Sequence, residues 1–214
     1  MQELNGLFAT PLLKARLPDA DVANAALRDT ILARMATGPA AQISNIGGWH
    51  STTDMIDWGG PAMQRLVETV IDLCGRNTTD VAAQGRSRFL WVPQAWANVS
   101  TAGAANQTHA HAGAIWSAVY YVDDGYGGSS DPALGGELML LDPRFPMTMM
   151  AAPDLRYRAP DGKRYECEVL LRPETGLIVA FPSWLSHAVR PYHGAHKRIS
   201  IAINLVAVPV PPAR

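Results

Sequence analysis

Three histidines have the residue type and spacing of metal ligands. His109 and His111 lie one residue apart at the entry to a run with strand composition, and His187 occurs later in the chain. Successive strand side chains point to opposite faces, so a strand through this run would place His109 and His111 on one face. Two imidazoles presented together can hold one divalent metal, and His187 is the candidate for a third ligand. The sequence therefore predicts a metal site at these three histidines.

A second chemical signal lies in the last predicted strand. Alternation puts four polar or small residues on one face and four aliphatic residues on the other. The first set is Arg198, Ser200, Ala202 and Asn204. If the aliphatic face packs against helices or a second sheet, the face with Arg198 must look at water or into a cavity. The residues between His187 and Arg198 predict a hairpin connection, which would put these two residues on adjacent strands.

The elements that would position these residues are mostly strands. Six runs have strand composition and are separated by turn clusters. They are 89–100, 115–122, 137–141, 165–171, 176–181 and 198–206. Several short strands with few helices favour a sandwich or jelly roll over parallel βαβ units. We expect one mainly β domain over residues 1–214, with a β core at about 89–206 and a helical part at about 19–76.

Two helices are predicted ahead of the strands. The first begins after Asp19 or Asp21, either of which can cap it, and ends at Gly38. Its apolar residues near one face are Val22, Ala26, Leu27, Ile31 and Met35. The second runs from Pro61 to Gly75. Its continuous stripe needs a sheet to lie on and consists of Met63, Leu66, Val67, Val70, Ile71 and Cys74.

Three further segments carry expectations. Residues 40–59 are predicted to form a loop, and 142–158, with Met147, Met149 and Met150, an excursion that could cover the mouth of a barrel. The Pro-rich tail from Val208 is expected to be frayed.

Composition argues against several classes of function. The formal net charge is −1 and no block of Lys or Arg occurs, which argues against nucleic-acid binding. No apolar stretch of about 18 residues and no signal peptide are apparent, so we expect no membrane partner and a cytoplasmic location. The two cysteines, Cys74 and Cys167, form no CxxC motif and are interpreted as packing thiols. The expected partners are small-molecule or protein side-chain substrates, and a homodimer is left open.

Six motifs together resemble those of the iron(II)/2-oxoglutarate-dependent oxygenases. They are Gly-Gly-Trp-His-Ser at 47–51, Asn-Gln-Thr-His-Ala-His at 106–111, Val-Tyr-Tyr-Val at 119–122, Asp-Pro-Arg at 142–144, Phe-Pro-Ser-Trp-Leu-Ser-His at 181–187 and Arg-Ile-Ser-Ile-Ala-Ile-Asn at 198–204. The set is similar to that of a family of roughly 200-residue bacterial and phage 2-oxoglutarate/iron oxygenases, and the similarity runs from Leu7 to Leu205. The resemblance implies a double-stranded β-helix, a jelly-roll form, with the two N-terminal helices packed on the outside.

The resemblance also implies a cofactor set and a reaction. The cofactors would be iron(II) and 2-oxoglutarate, and the reaction hydroxylation of an unknown substrate. Arg198 and Ser200 would bind the far carboxylate of 2-oxoglutarate by a salt bridge and a hydrogen bond. Asn98 and Tyr120 are the further candidates for contact with the co-substrate.

The third metal ligand is a departure from the superfamily pattern. His111 stands where these oxygenases usually have Asp or Glu, which implies a site of three histidines in place of two histidines and one carboxylate. Glu137, Asp123 or water are left open as alternatives to His111.

Two other functions compete with the oxygenase. One is a cupin-type three-His metalloenzyme without 2-oxoglutarate, and the other is a non-catalytic metal-binding jelly-roll module. Arg198 with Ser200 favours the oxygenase, because a three-His dioxygenase has no need of a guanidinium there. The residues interpreted as core and cavity wall are Trp116, Trp184, Tyr120 and Tyr121, and those interpreted as solvated or structural are His50, His193 and His196. For Arg144 a substrate or co-substrate contact and a turn salt bridge both stay open.

Overall fold

The computed structural model describes residues 3–144, 152 and 154–210, and strands dominate within these ranges. The strands are β1 Leu13–Arg16, β2 Asn45–Ile46, β3 Trp49–His50, β4 Phe89–Ser100, β5 Ala105–His109, β6 Trp116–Asp123, β7 Leu138–Leu141, β8 Glu168–Leu171, β9 Leu177–Pro182, β10 His187–Val189 and β11 Arg198–Pro209. The helices are α1 Ala20–Thr37, α2 Met55–Trp58 and α3 Gly60–Arg76, with one 3-10 turn at Pro132–Leu134.

The strands form two antiparallel sheets that face each other. The larger sheet has the order β1-β9-β6-β11-β4-β3, and the smaller has the order β2-β5-β10-β7-β8. From β4 to β7, and again from β8 to β11, successive strands belong to opposite sheets. The chain therefore crosses repeatedly between the sheets, as in a jelly roll, and the predicted mainly β jelly-roll class is confirmed.

One core lies between the outer face of the larger sheet and the helices. The buried stripe of α3 agrees with the prediction and contains Met63, Leu66 and Val70. In α1 the predicted face is partly wrong: Leu27 and Ile31 are buried, but Val22 is 72% exposed. The buried face of α1 includes the polar residue Asn24, because the Asn24 side chain accepts a hydrogen bond from a tyrosine of β6. Asp19 occupies the N-cap position of α1 without a side-chain capping bond.

A second core lies between the two sheets. It contains Tyr121, Leu138, Leu140, Leu171, Leu177, Val179, Phe181 and Leu185. These residues fill only part of the space between the sheets, and the remainder is a cavity with mixed polar and apolar walls. The apolar part joins the sheets, while the polar part is where chemistry can take place.

Local differences from the predicted elements concern weakly patterned segments. The predicted loop 40–59 contains β2, β3 and α2. The tail does not fray at Val208, because β11 continues to Pro209 and pairs Val208 with Leu90. The predicted cover of the barrel mouth by Met147, Met149 and Met150 lies outside the described residues. Among the described helices, none is long and apolar enough to cross a membrane.

The packing of α3 gives a first prediction. Leu66 is fully buried, so Leu66→Ala removes apolar contacts and leaves a cavity, and we expect the free energy of unfolding to fall by about 2–5 kcal/mol. Val22→Ala on the exposed surface of α1 is the control and should change the free energy of unfolding by less than about 0.5 kcal/mol. Urea titration followed by circular dichroism measures both. Equal, small effects would show that α3 contributes little to the core.

Candidate functional site

The three predicted histidines converge at one end of the smaller sheet. His109 ends β5 and His187 begins β10, and the two are cross-strand partners in the antiparallel pair. Their ring centroids lie 4.3 Å apart, and the ring of His111 lies 4.9 Å from His109 and 5.1 Å from His187. The candidate ligand atoms of all three lie within 4.8 Å of one another. The three imidazoles can thus converge on a single ion.

His111 reaches this cluster by a route that differs from the predicted strand alternation. β5 ends at His109, and His111 lies in the turn that follows. The backbone N–H of His111 donates to the carbonyl oxygen of Ser183 at 2.9 Å, which ties this turn to the segment ahead of β10. The two histidines are therefore brought together by a strand end and a turn, and the expectation of a continuous strand through both is wrong.

Hydrogen bonds fix the rings of the two strand histidines. Nδ1 of His109 lies 2.7 Å from the carbonyl oxygen of Gln107, and Nδ1 of His187 lies 2.8 Å from that of Leu185. A carbonyl can only accept, so each Nδ1 carries the proton and donates it. In the neutral ring this bond leaves Nε2 with a free lone pair, which is the form that binds a metal.

Burial keeps two of the rings neutral. Burial lowers the pKa of His187 to about 4; the hydrogen bond to Leu185 opposes this shift and the neighbouring histidines add to it. Burial also lowers the pKa of His111 to about 4, with a further contribution from His109. At neutral pH both imidazoles are therefore uncharged and need lose no proton to bind a cation.

Arg198 and Ser200 occupy the opposite wall of the same cavity. Both are buried residues of β11 and line the cavity together with His109, His111 and His187. The predicted two-sided character of β11 is present, because its aliphatic face packs in the helix-side core. The predicted hairpin is wrong, however: β10 and β11 belong to different sheets, so His187 and Arg198 face each other across the cavity.

The guanidinium of Arg198 is buried without an anionic partner. It is 2% exposed, and no carboxylate of the described residues lies within 4.0 Å of it. Its Nη1 donates a long bond to Ser200 Oγ at 3.4 Å, and its Nε has no hydrogen-bond partner in the described structure. Gly136, at φ 78°, packs closely against this side chain, since a Cβ added to Gly136 would lie 3.3 Å from Arg198 Cδ. An uncompensated buried charge is costly, so this one is suited to an anionic ligand.

Tyr121, and not Tyr120, accompanies Arg198. Tyr121 lies opposite Ser200 in the pairing of β6 with β11, so the two share the cavity face. Its ring centroid is 5.2 Å from the guanidinium carbon of Arg198, and burial raises the pKa of its hydroxyl. Tyr120 points to the other face of β6, where its hydroxyl donates to Asn24 at 2.5 Å. The expected contact between Tyr120 and a co-substrate is therefore corrected.

The cavity wall contains more residues than the sequence singled out. Asn98 lies opposite Ser200 in the pairing of β4 with β11 and lines the cavity, as a co-substrate contact would. The lining residues that were not predicted as site residues are Ser44, Trp96, Asn106, Ser117, Ala118, Val119, Tyr121, Leu138, Phe181, Val189, Ala202 and Asn204. For β6 the sequence does contain a signal for the cavity face. Alternation places Tyr121 on the same face as the polar residue Ser117.

The alternative third ligands lie outside the histidine cluster. A bulge in the pairing of β6 with β11 turns Asp123 toward the helix-side face, where it forms an ion pair with Arg28 of α1. Glu137 lines a separate pocket with Arg190 and has a buried oxygen without a partner. Neither carboxylate belongs to the cluster found among the described residues. His111 is the group that the structure brings to the other two histidines.

Several secondary interpretations are also decided by position. Arg144 pairs with Asp142 through two bonds of 2.9 and 2.7 Å and does not line the cavity, so the turn salt bridge is the one present. Trp184 is 55% exposed, and its expected place in the core is wrong. For His50, interpreted as solvated or structural, the structural alternative is the one present, because the side chain is buried, and burial lowers its pKa. His193 is exposed, as expected of a solvated residue.

Comparison with known protein families gives one match. The model of a family described as "Putative 2OG-Fe(II) oxygenase" matches residues 94–204, just over half of the 214 residues. The matched region contains the three clustered histidines, Asn98 and Arg198. Comparison with curated proteins gives no match.

Comparison with solved structures shows the same fold at low sequence identity. A prolyl-4-hydroxylase from Pseudomonas putida has a TM-score of 0.60 at 18% identity, with 92% of each chain covered. A prolyl hydroxylase from Trichoplax adhaerens, solved with a peptide fragment of hypoxia inducible factor, has a TM-score of 0.63 at 14% identity, covering 91% of this chain and 83% of that one. HygX from Streptomyces hygroscopicus, solved with nickel and 2-oxoglutarate, has a TM-score of 0.59 at 12% identity, covering 92% and 83%.

The neutral buried histidines predict a pH dependence of stability for the metal-free protein. An unfolded histidine has a pKa near 6.5, whereas His111 and His187 have pKa values of about 4 in the folded chain. The unfolded state therefore binds more protons between these values, and the free energy of unfolding should fall as pH drops from about 6.5 toward 4. Denaturant titrations in the presence of a chelator, between pH 7 and 5, measure this fall.

A double variant supplies the control for this measurement. His111→Asn with His187→Asn removes two of the groups that titrate in this range and should make the profile shallower, with buried His50 left to contribute, while the exposed His193→Asn should leave it steep. An unchanged slope in the double variant would show that other groups cause the dependence.

Proposed function

Because this chain belongs to the 2-oxoglutarate/iron(II) oxygenase family, we propose that it is a dioxygenase that hydroxylates its substrate, with the metal on three histidines and 2-oxoglutarate on Arg198. The enzyme class and its cofactors, iron(II) and 2-oxoglutarate, are those of the family. The observation that carries the residue assignment is the convergence of His109, His111 and His187 opposite a buried guanidinium that meets no carboxylate among the described residues.

The donor set fits iron(II). Imidazole is a suitable ligand for iron, and three ligands on one side leave further positions for a chelating co-substrate and for dioxygen. The proposed set contains no carboxylate, so the site would carry one positive charge more than the usual arrangement of two histidines and one carboxylate. That change favours an anionic co-substrate at the same site.

The opposite wall fits the far carboxylate of 2-oxoglutarate. A guanidinium can donate two parallel hydrogen bonds to a carboxylate, and the Nε of Arg198 has no partner within the described structure. Ser200 Oγ lies beside the guanidinium, and the buried Tyr121 hydroxyl next to Arg198 is a second neutral donor. A charge-assisted bond at this position would relieve the unpaired charge that the fold buries.

The chain's own groups prepare the site for oxidation. When bound, iron(II) and 2-oxoglutarate supply dioxygen activation, in which the oxo acid is converted to succinate and carbon dioxide as one oxygen atom enters the substrate. Phe181 lies edge-on to His187 at 4.9 Å, and this apolar neighbour keeps water from one side of the cluster. The Nδ1 bonds of His109 and His187 hold the rings so that Nε2 stays available.

The substrate is proposed to be a small molecule or a protein side chain. Apart from Arg198 and the histidines, the described cavity lining holds no charged residue. The Trichoplax structure was solved with a peptide fragment, which supports a protein side chain as one candidate. The lining fits an uncharged substrate group near the metal, since an unpaired charge in such a wall would lose its hydration.

Metal binding tests the histidine assignment. His187→Ala removes a ligand fixed between two strands, so stoichiometric iron(II) binding under anaerobic conditions should be lost. His193→Ala, which alters an exposed histidine, should retain it. Metal content after desalting, measured by elemental analysis, decides the matter, and unchanged content in His187→Ala would refute the site.

Co-substrate binding tests the role of Arg198. Removing one member of a buried charge pair typically costs about 2–5 kcal/mol, so Arg198→Ala should weaken 2-oxoglutarate binding by that amount while iron(II) still binds. Arg65→Ala on the exposed surface of α3 is the matched control and should bind like the parent. Anaerobic calorimetry on the iron-loaded proteins gives both affinities. Equal affinity in Arg198→Ala would favour a three-His metalloenzyme that does not use 2-oxoglutarate.

A further inference from the structure

The ring of His111 lacks the support that the other two histidines have. His109 and His187 belong to paired strands, and each donates an Nδ1 hydrogen bond to a backbone carbonyl. His111 lies in a turn, and only its backbone N–H is anchored, to Ser183. Among the described residues, the His111 ring makes no hydrogen bond. Its orientation must therefore come from packing.

The packing partner from the opposite sheet is Trp96. Its indole ring lies 5.5 Å from the His111 ring at an angle of 57°, on the cavity face of β4. Trp96 is only 8% exposed and is therefore held by its own neighbours. Aromatic rings at this separation attract each other and exclude water from the contact.

His50 also packs against the indole of Trp96. The His50 ring stacks on Trp96 with centroids 5.7 Å apart and planes at 17°, and His50 is 2% exposed. Its Nδ1 is 2.5 Å from the carbonyl oxygen of Ser51. Ser51 joins β3 to β4, because its backbone N–H donates to the carbonyl of Ala97 and its Oγ accepts from the N–H of Ala97, both at 3.0 Å.

We propose that His50 and Trp96 are positioning residues that hold the His111 ring toward His109 and His187. The Trp96 ring contacts the rings of both His50 and His111, and His50 is held in place by the pairing of β3 with β4. This inference rests on the proposed function, in which His111 is the third metal ligand. A carboxylate at that position has no ring plane to orient. Support by His50 and Trp96 is therefore needed only because residue 111 is a histidine.

Metal affinity measures the role of Trp96. Loss of an outer partner of a metal ligand typically weakens binding by about 10- to 100-fold, and we expect this loss of iron(II) affinity in Trp96→Ala. Trp96→Phe keeps an aromatic face and should stay within about 3-fold of the parent. His50→Ala should lose part of the affinity and His50→Phe should restore it. Anaerobic competition with a chromophoric chelator gives the affinities, and cobalt(II) spectra report the ligand geometry.

The His111→Asp background separates positioning from general damage to the fold. Aspartate has no ring to orient, so adding Trp96→Ala to His111→Asp should change the metal affinity by less than about 3-fold. An equal loss in both backgrounds would overturn the inference, as would unchanged affinity and cobalt(II) spectra in Trp96→Ala. If the parent protein binds no metal, the proposed function itself fails.

NMR spectra of the metal-free protein test the same inference without depending on metal binding. In NMR spectra of histidine-labelled protein, Trp96→Ala should shift or broaden the ring signals of His111 and leave those of His187 nearly unchanged. Unchanged His111 signals would overturn the inference. Should Trp96→Ala not fold, Trp96→Leu and His50→Ala provide the same comparison.

Discussion

The pairing of β11 with both β4 and β6 is the constraint on which the site depends. β11 pairs along its whole length with β4, and this register sets Asn98, Ser200 and Tyr121 side by side across three strands. Because side chains alternate, the same register sends the isoleucines of β11 into the helix-side core. A shift by one residue would bury isoleucines in the cavity and drive Arg198 into the apolar core. Hydrophobic packing on one face thus fixes the chemistry on the other.

The sequence predicts best those elements in which two signals agree. β4 was expected at 89–100, which are its observed bounds, and β11 was expected to begin at Arg198. The polar face of β11 was found because a strand period and chemically unusual residues coincide there, whereas the histidine cluster was found from its residue types and close spacing although the strand expected through His111 is absent. The stripe of α3 was equally clear because its apolar spacing is helical, and the helix extends one residue beyond the predicted Pro61 and Gly75 at each end, from Gly60 to Arg76.

The predictions that were wrong concern features set by tertiary contacts, which no local sequence pattern contains. The stretch between His187 and Arg198 has the turn residues of a hairpin, but the chain uses it to cross between sheets. Tyr120 and Tyr121 are adjacent and identical, and apart from the alternation with Ser117 it is the cross-strand partner that tells which one faces the cavity. Asp123 is a plausible ligand in the sequence until a bulge turns it toward α1. The supporting role of Trp96 and His50 requires β3, which is two residues long and carries no readable strand period.

The cross-strand pairing of His109 with His187 ties the smaller sheet to whatever the two rings hold. β10 is only three residues long, so few backbone bonds secure it between β5 and β7. A ligand bound by both rings would act as a cross-link between distant parts of the chain, and it would bind the folded state alone. Filling the site would then also lock the sheet, so resistance of β10 to hydrogen exchange and proteolysis would rise with occupancy. The shortest central part of the smaller sheet would thus be the part that a bound ligand stabilises most.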